Sequence, residues 1–414
     1  FLTGFQVAAT GSTFNLSFGD TGPAAARYLV VPNNMIKQPV RLEPVLALSD
    51  PPAGADYIII THPDFSDAVA PLVAHRAAQG LRVVTVDVRE IYDTYGEGRM
   101  DPAAIKTFLQ HSFSNWTPPA PTYVLLVGDG SYDFKNYSGY NPATYIPPFM
   151  ADVDPWWGET AADNRFVTLA GEDTLPDMLV GRLPVNSYAE AQTVVDKIVY
   201  YETDPAPGNW NGRHLFVTDN PDGAGDFHSH ADEGYVRVNA PFWSNRYYLG
   251  TDSDIGSHIY TDADLLRISF IDSVNLGAGF LTFHGHASWL QWAAEGIVRF
   301  YPSPPYPASE PNDLASFHNQ MRLPVVLEMT CFTASFHRPE YTTVDEVMLT
   351  GAGGGAVAVW GSTGLGLATG HTRLQTVFYD ALNQGETTLG ALTLAGKTNL
   401  YASGIYLDLL DTFT

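Results

Sequence analysis

The sequence contains a single cysteine, Cys331, which closely follows the apolar run "VVLEM" at residues 325–329. A lone cysteine has no partner for an internal disulfide, so it serves packing, metal binding or chemistry. Two histidines, His284 and His286, follow a second apolar run, "GAGFLTF". A thiol becomes an effective nucleophile when a neighbouring imidazole favours the thiolate. The pattern therefore predicts a Cys–His centre if the two runs form neighbouring strands.

The position of these residues at the ends of apolar runs is a second indication of chemistry. Continuous apolar runs are typical of buried parallel strands, and ligands of open parallel sheets bind outside the carboxyl ends of the strands. The interval between His286 and Cys331 is long enough for an intervening element. Neighbouring strands would therefore bring an imidazole and the thiol to one edge of the sheet. A histidine that only makes a structural hydrogen bond is the alternative.

A second group of reactive residue types occurs in "DFHSHADEG", where His228, His230 and Asp232 alternate. This spacing resembles half of a dinuclear zinc site, and the histidines of "HGH" could supply further ligands. Glu233, however, stands where the final histidine of such a motif belongs, and a zinc site would leave the cysteine without a task. A zinc-dependent hydrolase and a loop of exposed histidines both remain alternatives to the Cys–His centre.

The composition argues against some classes of function. The chain has 45 acidic and 21 basic residues, for a net charge of −24, whereas nucleic-acid binding requires Lys and Arg to neutralise phosphates. We therefore expect no nucleic-acid partner, and the acidic balance suits solubility, basic partners or Ca²⁺. No apolar run approaches the roughly 18 residues that span a bilayer, so we expect no membrane span. The near-absence of cysteine is compatible with a secreted protein that does not depend on disulfides.

The elements that must position the reactive residues begin after a short β-rich segment, residues 1–52. Its runs "FQVAAT", "TFNLSF" and "RYLVVP" are separated by turn residues, and we expect this segment to be the end of a pro-region or an accessory domain. From Asp56 onwards, "DYIIITH", "LRVVTVDV" and "TYVLLVGDG" predict buried strands, and the stretches between them predict helices. Asp101 and Pro102 are typical of the start of one such helix.

The same alternation recurs after a turn-rich insertion, about residues 131–177, and a boundary at "DPAPGNWNG". Strands are predicted at "RHLFVTDN", "GAGFLTFHGH", "LPVVLEMTC" and "GAVAVWGS", with a loop and a helix after the first of them. Further helices are predicted around "VDEVMLTG" and "RLQTVFYDAL". The predicted fold class is α/β, with two adjacent subdomains whose sheets are mainly parallel. The subdomains are placed at 53–210 and 211–385, and a C-terminal segment at 386–414.

Several stretches together resemble the gingipain-like cysteine peptidases, the C25 type, which belong to the caspase-like clan. They are "GHASWLQWA", "LPVVLEMTCFTASF" and "GAVAVWGST", and upstream "ADYIIITHPDF", "YVLLVGDG", "ADNRFVTLAGED" and "PDMLVGRLP". The resemblance covers about residues 53–385. It implies a caspase-like fold and a secreted or cell-surface cysteine endopeptidase that acts on proteins or peptides. It also implies that catalysis requires no cofactor.

The resemblance assigns roles to individual residues. The family's Gly-His pair, the tryptophan six residues later and the cysteine fall on Gly285, His286, Trp292 and Cys331. It implies that Cys331 is the nucleophile that forms an acyl-enzyme, and that His286 is the general base and acid. Backbone N–H groups near the histidine and at the cysteine would hold the oxyanion. The family has glycine where this chain has Ala287, which keeps the N–H but needs a backbone conformation open to a Cβ. Gly285, Ala287 and Trp292 are expected on the substrate-binding side.

Other family roles map onto this chain less directly. His284 offers a competing His-Gly pair, but the tryptophan spacing favours His286 and leaves His284 a structural hydrogen bond. The acidic residue that orients the histidine is expected just after "RHLFVTDN", at Asp219 or, second, at Asp222, although both could simply cap turns. Asp226 lies near the position at which arginine-specific members pair with the substrate guanidinium, and such a bidentate pair favours cleavage after Arg or Lys. The aromatic wall of that pocket is not evident in "STGLGLATGH".

A structural calcium ion is a further expectation from the resemblance, because family members bind calcium. The stretches "ADVDPWWGETAADN" and "GEDTLPD" are rich in the oxygen ligands that Ca²⁺ prefers. Asp163 and Glu159 are the expected ligands, with a solvated acidic loop as the alternative.

A gingipain-like domain that binds without cleaving is the remaining alternative to an enzyme. The presence of both His286 and Cys331 favours the enzyme.

Overall fold

The computed structural model describes residues 5–19, 31, 35, 44–140, 142–251, 256–303 and 305–414. The chain divides into two units, Phe1–Pro44 and Val45–Thr414. In the first unit, the antiparallel strands β1 (Gln6–Thr10) and β2 (Thr13–Ser17) confirm two of the three predicted β runs. The third run, "RYLVVP", lies almost entirely outside the described residues.

Two parallel sheets form the framework of the larger unit. Its strands are β3 (Tyr57–Thr61), β4 (Val83–Asp87), β5 (Tyr123–Val127), β6 (Met150–Asp154), β7 (Gly158–Ala161), β8 (Leu179–Leu183), β9 (Arg213–Thr218), β10 (Trp243–Leu249), β11 (Ile259–Tyr260), β12 (Phe280–His284), β13 (Ala287–Ser288), β14 (Gln291–Trp292), β15 (Val298–Arg299), β16 (Val325–Met329) and β17 (Ala358–Trp360). The first sheet has the order β4-β3-β5-β8 and the second the order β11-β10-β9-β12-β16-β17. Neighbouring strands are parallel throughout both sheets. This confirms the predicted α/β class with mainly parallel sheets.

Helices supply the crossovers that parallel strands require. They are α1 (Ser66–Ala78), α2 (Val88–Tyr95), α3 (Pro102–Asn115), α4 (Tyr188–Thr203), α5 (Phe227–Tyr235), α6 (Ala263–Asn275), α7 (Val344–Thr350), α8 (Ala368–Asn383), α9 (Leu389–Ser403) and α10 (Leu409–Thr412). The start of α3 confirms its predicted signal, because the Asp101 side chain accepts a hydrogen bond from the Ala103 N–H and Pro102 opens the first turn. None of the described helices is long and apolar enough to cross a membrane.

The strands that carry the candidate site are buried on both faces. In β16 every residue is buried, and in β12 all but the first are. Their side chains alternate between two apolar clusters, with Leu281, Phe283 and Val326 in one and Leu327 and Met329 in the other. Burial on both faces explains why these strands are continuous apolar runs that the sequence predicts well.

The two strands at one edge of the second sheet, β10 and β11, were not predicted. Strand β10 has the sequence WSNRYYL, and it is buried only at its last two residues. Its polar first half lacks an apolar run, and β11 comprises only two residues. A partly exposed edge strand therefore gives a weaker signal than a central one.

The turn-rich insertion at residues 131–177 contains a hairpin that reaches the second sheet. Strands β6 and β7 pair antiparallel. The Thr160 hydroxyl donates to the Thr363 carbonyl at 2.9 Å, and the Thr363 hydroxyl donates to the Ala161 carbonyl at 2.7 Å. The hairpin is thereby joined to the loop that follows β17, which also borders the candidate site.

The C-terminal helices complete the second apolar layer. Leu392 and Leu400 of α9, together with Leu410 and Phe413, belong to the same cluster as Leu327 of β16. Residues 386–414 were predicted only as a separate segment, and in the structure they contribute to this core. The domain limits at 52, 210 and 385 remain predictions.

Candidate active site

The register of β12 and β16 brings the histidine and the cysteine to one edge. His284 lies opposite Met329 in adjacent parallel strands. The segments that follow these two strands therefore leave the sheet side by side. Immediately beyond, the Thr330 hydroxyl donates to the Gly285 carbonyl at 2.6 Å and ties the two segments together. His286 and Cys331 occupy equivalent positions two residues past the ends of their strands. The condition set by the sequence, that the two runs form neighbouring strands, is met.

The imidazole of His286 is paired with a carboxylate. Its Nε2 lies 2.9 Å from Oδ2 of Asp222, and both side chains are about half exposed, at 50% and 42%. The edge of the ring contacts Phe227 at 5.3 Å between centroids. A hydrogen bond from the Ala224 N–H, aided by His286, holds the pKa of the Asp222 carboxyl below its usual value. With a proton on Nε2 directed to this carboxylate, Nδ1 is the ring nitrogen left to accept a proton.

Asp219, the first predicted partner of the imidazole, instead fixes the backbone beneath it. Its Oδ2 accepts from the His286 N–H at 3.1 Å, and its own N–H donates to the His284 carbonyl at 2.9 Å. Burial raises the pKa of Asp219 to about 6. Asp222, the second candidate, is therefore the acid on the ring.

A glycine precedes the histidine because Asp219 packs against the backbone there. A Cβ on Gly285 would lie 2.4 Å from the Cβ of Asp219, which is far inside van der Waals contact. On the other side of the histidine, Ala287 lies in β13 with extended backbone. An alanine adopts that conformation without strain, so the departure from the family glycine costs nothing in the backbone.

The thiol of Cys331 is largely enclosed in this conformation. Its Sγ lies 3.7 Å from the Gly366 carbonyl oxygen, to which it donates. Burial raises the pKa of Cys331 to about 11, so the sulfur carries its proton at neutral pH. The hydrogen bonds of the described residues include none between Sγ and His286. Catalytic hydrogen bonds are often long before substrate binds, and the nucleophile needs a base to remove its proton.

The residue after the nucleophile anchors it to a neighbouring loop. The Phe332 N–H donates to the Gly364 carbonyl at 3.1 Å, and Phe332 has a φ of 65°. The left-handed region is unfavourable for a bulky residue and is often found at functional sites. This hydrogen bond holds the segment after Cys331 beside the loop whose Gly366 carbonyl accepts from the thiol.

His284, the competing histidine, has the structural role predicted for it. It is fully buried, and its Nε2 lies 2.8 Å from Oε1 of Gln375. Burial lowers the pKa of His284 to about 3, which keeps the ring neutral. Its ring is therefore unsuited to reach a substrate.

Trp292 was expected on the substrate-binding side, and the structure corrects this. Its side chain is fully buried and stacks on Phe283 at 4.5 Å between centroids, with the ring planes 7° apart. The family spacing therefore marks a core residue under the site. Trp289, three residues after His286, is a partly exposed tryptophan that the sequence reasoning missed.

The residues of "DFHSHADEG" do not converge on one centre. His228 Nε2 lies 2.7 Å from the Leu249 carbonyl, and His230 Nδ1 lies 2.9 Å from the Thr372 hydroxyl. Asp232 binds Arg246 and Tyr248. Within the described residues, no group of three His, Cys, Asp or Glu side chains converges as metal ligands would. The zinc alternative therefore has no support in the geometry.

Asp226 caps helix α5. Its carboxylate accepts from the Ser229 N–H at 3.1 Å, and it lines an open depression together with His228 and Glu233. The next residue, Phe227, contacts the His286 ring. Asp226 is thus one residue away from a neighbour of the candidate base, and a role in substrate recognition remains a prediction.

The two predicted calcium ligands have different neighbours. Asp163 is buried and its Oδ2 forms a salt bridge with Arg182 Nε at 2.7 Å. Its role as a calcium ligand remains a prediction. Glu159 lies directly opposite Asp152 across the β6–β7 hairpin, and two like charges in that arrangement repel each other unless a cation is shared.

The fold places Cys331 and His286 at one edge of a parallel sheet, where a cysteine-type peptidase would need them. The model of Peptidase family C25 matches residues 50–413, and the chain belongs to this family. Two structures of the mature and pro-domain-bound forms of gingipain R illustrate the shared fold. The Arg-specific cysteine proteinase gingipain R (RgpB) is 18% identical, with a TM-score of 0.68, and the match covers 89% of this chain and 78% of that one.

The other comparisons agree on the fold. The complex of Porphyromonas gingivalis RgpB pro- and mature domains is also 18% identical, with a TM-score of 0.68, covering 86% of this chain and 77% of that one. A structure described as a protease is 16% identical, with a TM-score of 0.63 and coverage of 86% and 76%. None of the curated proteins matches the chain. The caspase-like fold expected from the resemblance is confirmed.

Proposed function

We propose that the protein is a cysteine endopeptidase in which Cys331 attacks the peptide carbonyl and His286 transfers the protons. The observation that carries the proposal is the register of β12 and β16. Because the two strands end side by side, and His286 and Cys331 each lie two residues beyond a strand end, both residues lie at one edge of the sheet. The Thr330–Gly285 hydrogen bond fixes the segments beyond those ends relative to each other. Asp222 gives the imidazole a partner that stabilises its protonated form.

The reaction begins from a neutral thiol and a neutral imidazole. Substrate binding turns Sγ away from the Gly366 carbonyl, and its proton passes to Nδ1 of His286 as sulfur attacks the carbonyl carbon. The imidazolium then protonates the leaving amine, which departs and leaves a thioester on Cys331. His286 next removes a proton from water, the resulting hydroxide attacks the thioester, and the proton returns to sulfur as the acid leaves.

Two backbone regions support the tetrahedral oxyanion in this proposal. They are the N–H groups beside His286 and at Cys331, as the family resemblance implies. Ala287 has extended backbone and Phe332 a left-handed conformation, and these two segments would carry the donors.

Preference for Arg or Lys before the cleaved bond is part of the proposal. Asp226, His228 and Glu233 line an exposed depression, and Phe227 links this helix to the His286 ring. A carboxylate there suits a guanidinium. The structural neighbour described as Arg-specific adds support from the fold alone.

Secretion or display at the cell surface and a structural calcium ion are further proposals from the resemblance. Since Asp163 is engaged by Arg182, Glu159 with its cross-strand neighbour Asp152 is the remaining carboxylate pair for an ion. These residues fit a complete calcium site poorly, because Ca²⁺ takes six to eight oxygens. The catalytic steps do not involve the ion.

Turnover of a fluorogenic peptide panel tests the proposed function. The panel varies the residue before the cleaved bond and is assayed with iodoacetamide, with a chelator and with neither. Cleavage should require Cys331, so Cys331→Ala should abolish it while circular dichroism shows an intact fold. Equal turnover by Cys331→Ala would refute the mechanism, and chelator-sensitive, thiol-insensitive cleavage would favour a metal hydrolase. A folded wild type that cleaves no peptide and reacts with no peptidyl electrophile would indicate a binding domain.

A further inference from the structure

Three aromatic side chains from segments next to the candidate catalytic residues contact one another. Phe332 follows the nucleophile, and Trp289 lies three residues after His286. Trp157, from the turn between β6 and β7, is the third. The ring centroids of Trp157 and Trp289 each lie 5.3 Å from that of Phe332, and the two tryptophans are 6.4 Å apart. These distances are typical of favourable aromatic pairs.

The hairpin that supplies Trp157 is fixed to the nucleophile's own loop. The buried carboxylate of Asp154 accepts from the Trp157 N–H at 2.9 Å through Oδ1 and from the Leu365 N–H at 2.6 Å through Oδ2. The Gly366 carbonyl that accepts from the thiol is one residue further on. Trp157 is therefore positioned relative to Cys331 by a short chain of hydrogen bonds.

Trp289 also contacts two further side chains. The Arg338 guanidinium lies 4.3 Å from its ring centroid, and Tyr341 stacks on it at 6.4 Å. Both rings of the catalytic loops, Trp289 and Phe332, are partly exposed. Phe332 directly follows the thiol residue in the chain, so these exposed apolar parts lie on segments next to the thiol.

Trp157 remains 53% exposed in spite of these contacts. A substrate peptide is the occupant that the position favours, because any chain whose carbonyl reaches Cys331 must pass beside Phe332. Successive residues of an extended peptide advance by about 3.3 Å. A side chain one or two residues from the cleaved bond would therefore reach the three rings.

We propose that Trp157, Trp289 and Phe332 form a subsite for an aromatic or large aliphatic side chain within two residues of the cleaved bond. The inference rests on the proposed function, because it takes a peptide held at Cys331 as the ligand. It adds a second determinant of specificity, independent of the depression around Asp226. An apolar side chain of the peptide would cover the exposed aromatic surface, and the burial of apolar surface would favour it over a polar side chain.

Peptide affinity for the Cys331→Ala variant tests the subsite without requiring turnover. The peptides share one sequence except at a single varied position, which carries either Phe or Ser. The varied position is one of the two residues before, or the two residues after, the bond that the wild type cleaves. If the wild type cleaves no peptide, the positions are counted from a central Arg instead. Calorimetry should show one position at which Phe binds about tenfold more tightly than Ser. Adding Trp157→Ala should reduce that ratio to below about twofold. Trp156→Ala is the matched control, because Trp156 is equally exposed and makes no ring contact among the described residues.

The outcomes separate this inference from the proposed function. A Phe/Ser ratio near one at every position would overturn the subsite, whether or not the wild type cleaves. A ratio that survives Trp157→Ala, or falls equally in Trp156→Ala, would also overturn it. Loss of all cleavage by the wild type with the expected affinity pattern intact would reject the peptidase and retain the peptide-binding subsite.

Discussion

At the residue scale, the candidate base and nucleophile each have an identifiable partner. Asp222 holds Nε2 of His286, and the Gly366 carbonyl holds the thiol of Cys331. The pKa of Cys331 is raised by burial, whereas a preformed ion pair would require it to be lowered. The thiol therefore keeps its proton in the resting state, and the proposed base can act only when substrate brings it to the sulfur.

Replacing Asp222 by asparagine tests which acid serves the imidazole. We expect Asp222→Asn to lower kcat about tenfold with little change in KM, because the exposed pair is partly screened by solvent. Asp219→Asn is the comparison, since its amide oxygen can still accept from the His286 N–H. Steady-state kinetics on both variants decide the matter. A larger loss of kcat in Asp219→Asn would return the orienting role to Asp219.

Individual residues show where sequence reasoning reaches its limit. His286 and Cys331 were predictable because their strands are apolar runs that end just before them. The choice between Asp219 and Asp222 was not, because it depends on the turn in which Ala224 donates to Asp222. The family tryptophan is buried against Phe283, a pairing across the core that spacing along the chain does not reveal.

At the element scale, close packing between the segments that follow two neighbouring strands sets the position of His286. Asp219 follows β9, and Gly285 follows the neighbouring β12; the Asp219 N–H donates to the His284 carbonyl at 2.9 Å. Only a residue without a Cβ allows this approach. The Gly-His motif is therefore a packing requirement imposed by two parallel strands.

A methyl group at Gly285 should disturb this approach. We expect Gly285→Ala to lower the free energy of unfolding by about 1–3 kcal/mol, as overpacking does, and to reduce kcat/KM strongly because it displaces His286. Gly223→Ala in the nearby turn is the control, since a Cβ there meets nothing within 4 Å. Urea denaturation and peptide turnover measure the two effects. Wild-type stability and activity in Gly285→Ala would contradict the close approach.

Some strands can be predicted from the local sequence and others cannot. Central strands such as β12 and β16 are continuous apolar runs, and both were predicted. Strand β10 is half exposed and polar at its start, and the hairpin of β6 and β7 carries acidic and aromatic residues that favoured a calcium loop instead. The positions of such elements depend on tertiary contacts, which local sequence patterns do not reveal.

At the scale of the whole molecule, buried polar groups join the α/β layers. Lys197 of α4 is buried, and its Nζ donates to the carbonyls of Leu349 and Gly354 at 2.7 and 2.8 Å. Beneath the site, Glu328 of β16 and Asp345 of α7 are neighbouring buried carboxyls. Burial raises the pKa of Glu328 to about 6, and burial together with Glu328 raises the pKa of Asp345 well above its usual value.

These carboxyls make the stability of the whole molecule depend on pH. A pKa that is raised by folding contributes stability below the unfolded value and loses it as the pH rises through the folded value. For Glu328 the window runs from about 4.5 to about 6. We expect the stability of Glu328→Gln to fall less than that of wild type as the pH rises from 4.5 to 8, because the variant has no carboxyl to ionise at this position. Urea denaturation across this range measures it.

The exposed Glu172 provides the control for this pH dependence. Glu172→Gln removes one carboxyl from the surface and should follow the wild-type curve. If Glu328→Gln also paralleled the wild type at every pH, the carboxyl would not change its pKa on folding. The net charge of −24 affects all three proteins almost equally, so it cannot produce the expected difference.

The most direct measurement of the central claim is covalent labelling by a peptidyl electrophile, because Cys331 is the only thiol in the chain. Mass spectrometry of the intact protein follows the rate of adduct formation, and iodoacetamide controls for simple access to sulfur. We predict rapid labelling of wild type at Cys331 and a rate at least about a hundredfold lower in His286→Ala. The iodoacetamide rates of the two proteins should be similar, since the resting thiol is protonated in both. Equal rates with the peptidyl electrophile would contradict the role of His286 as the base.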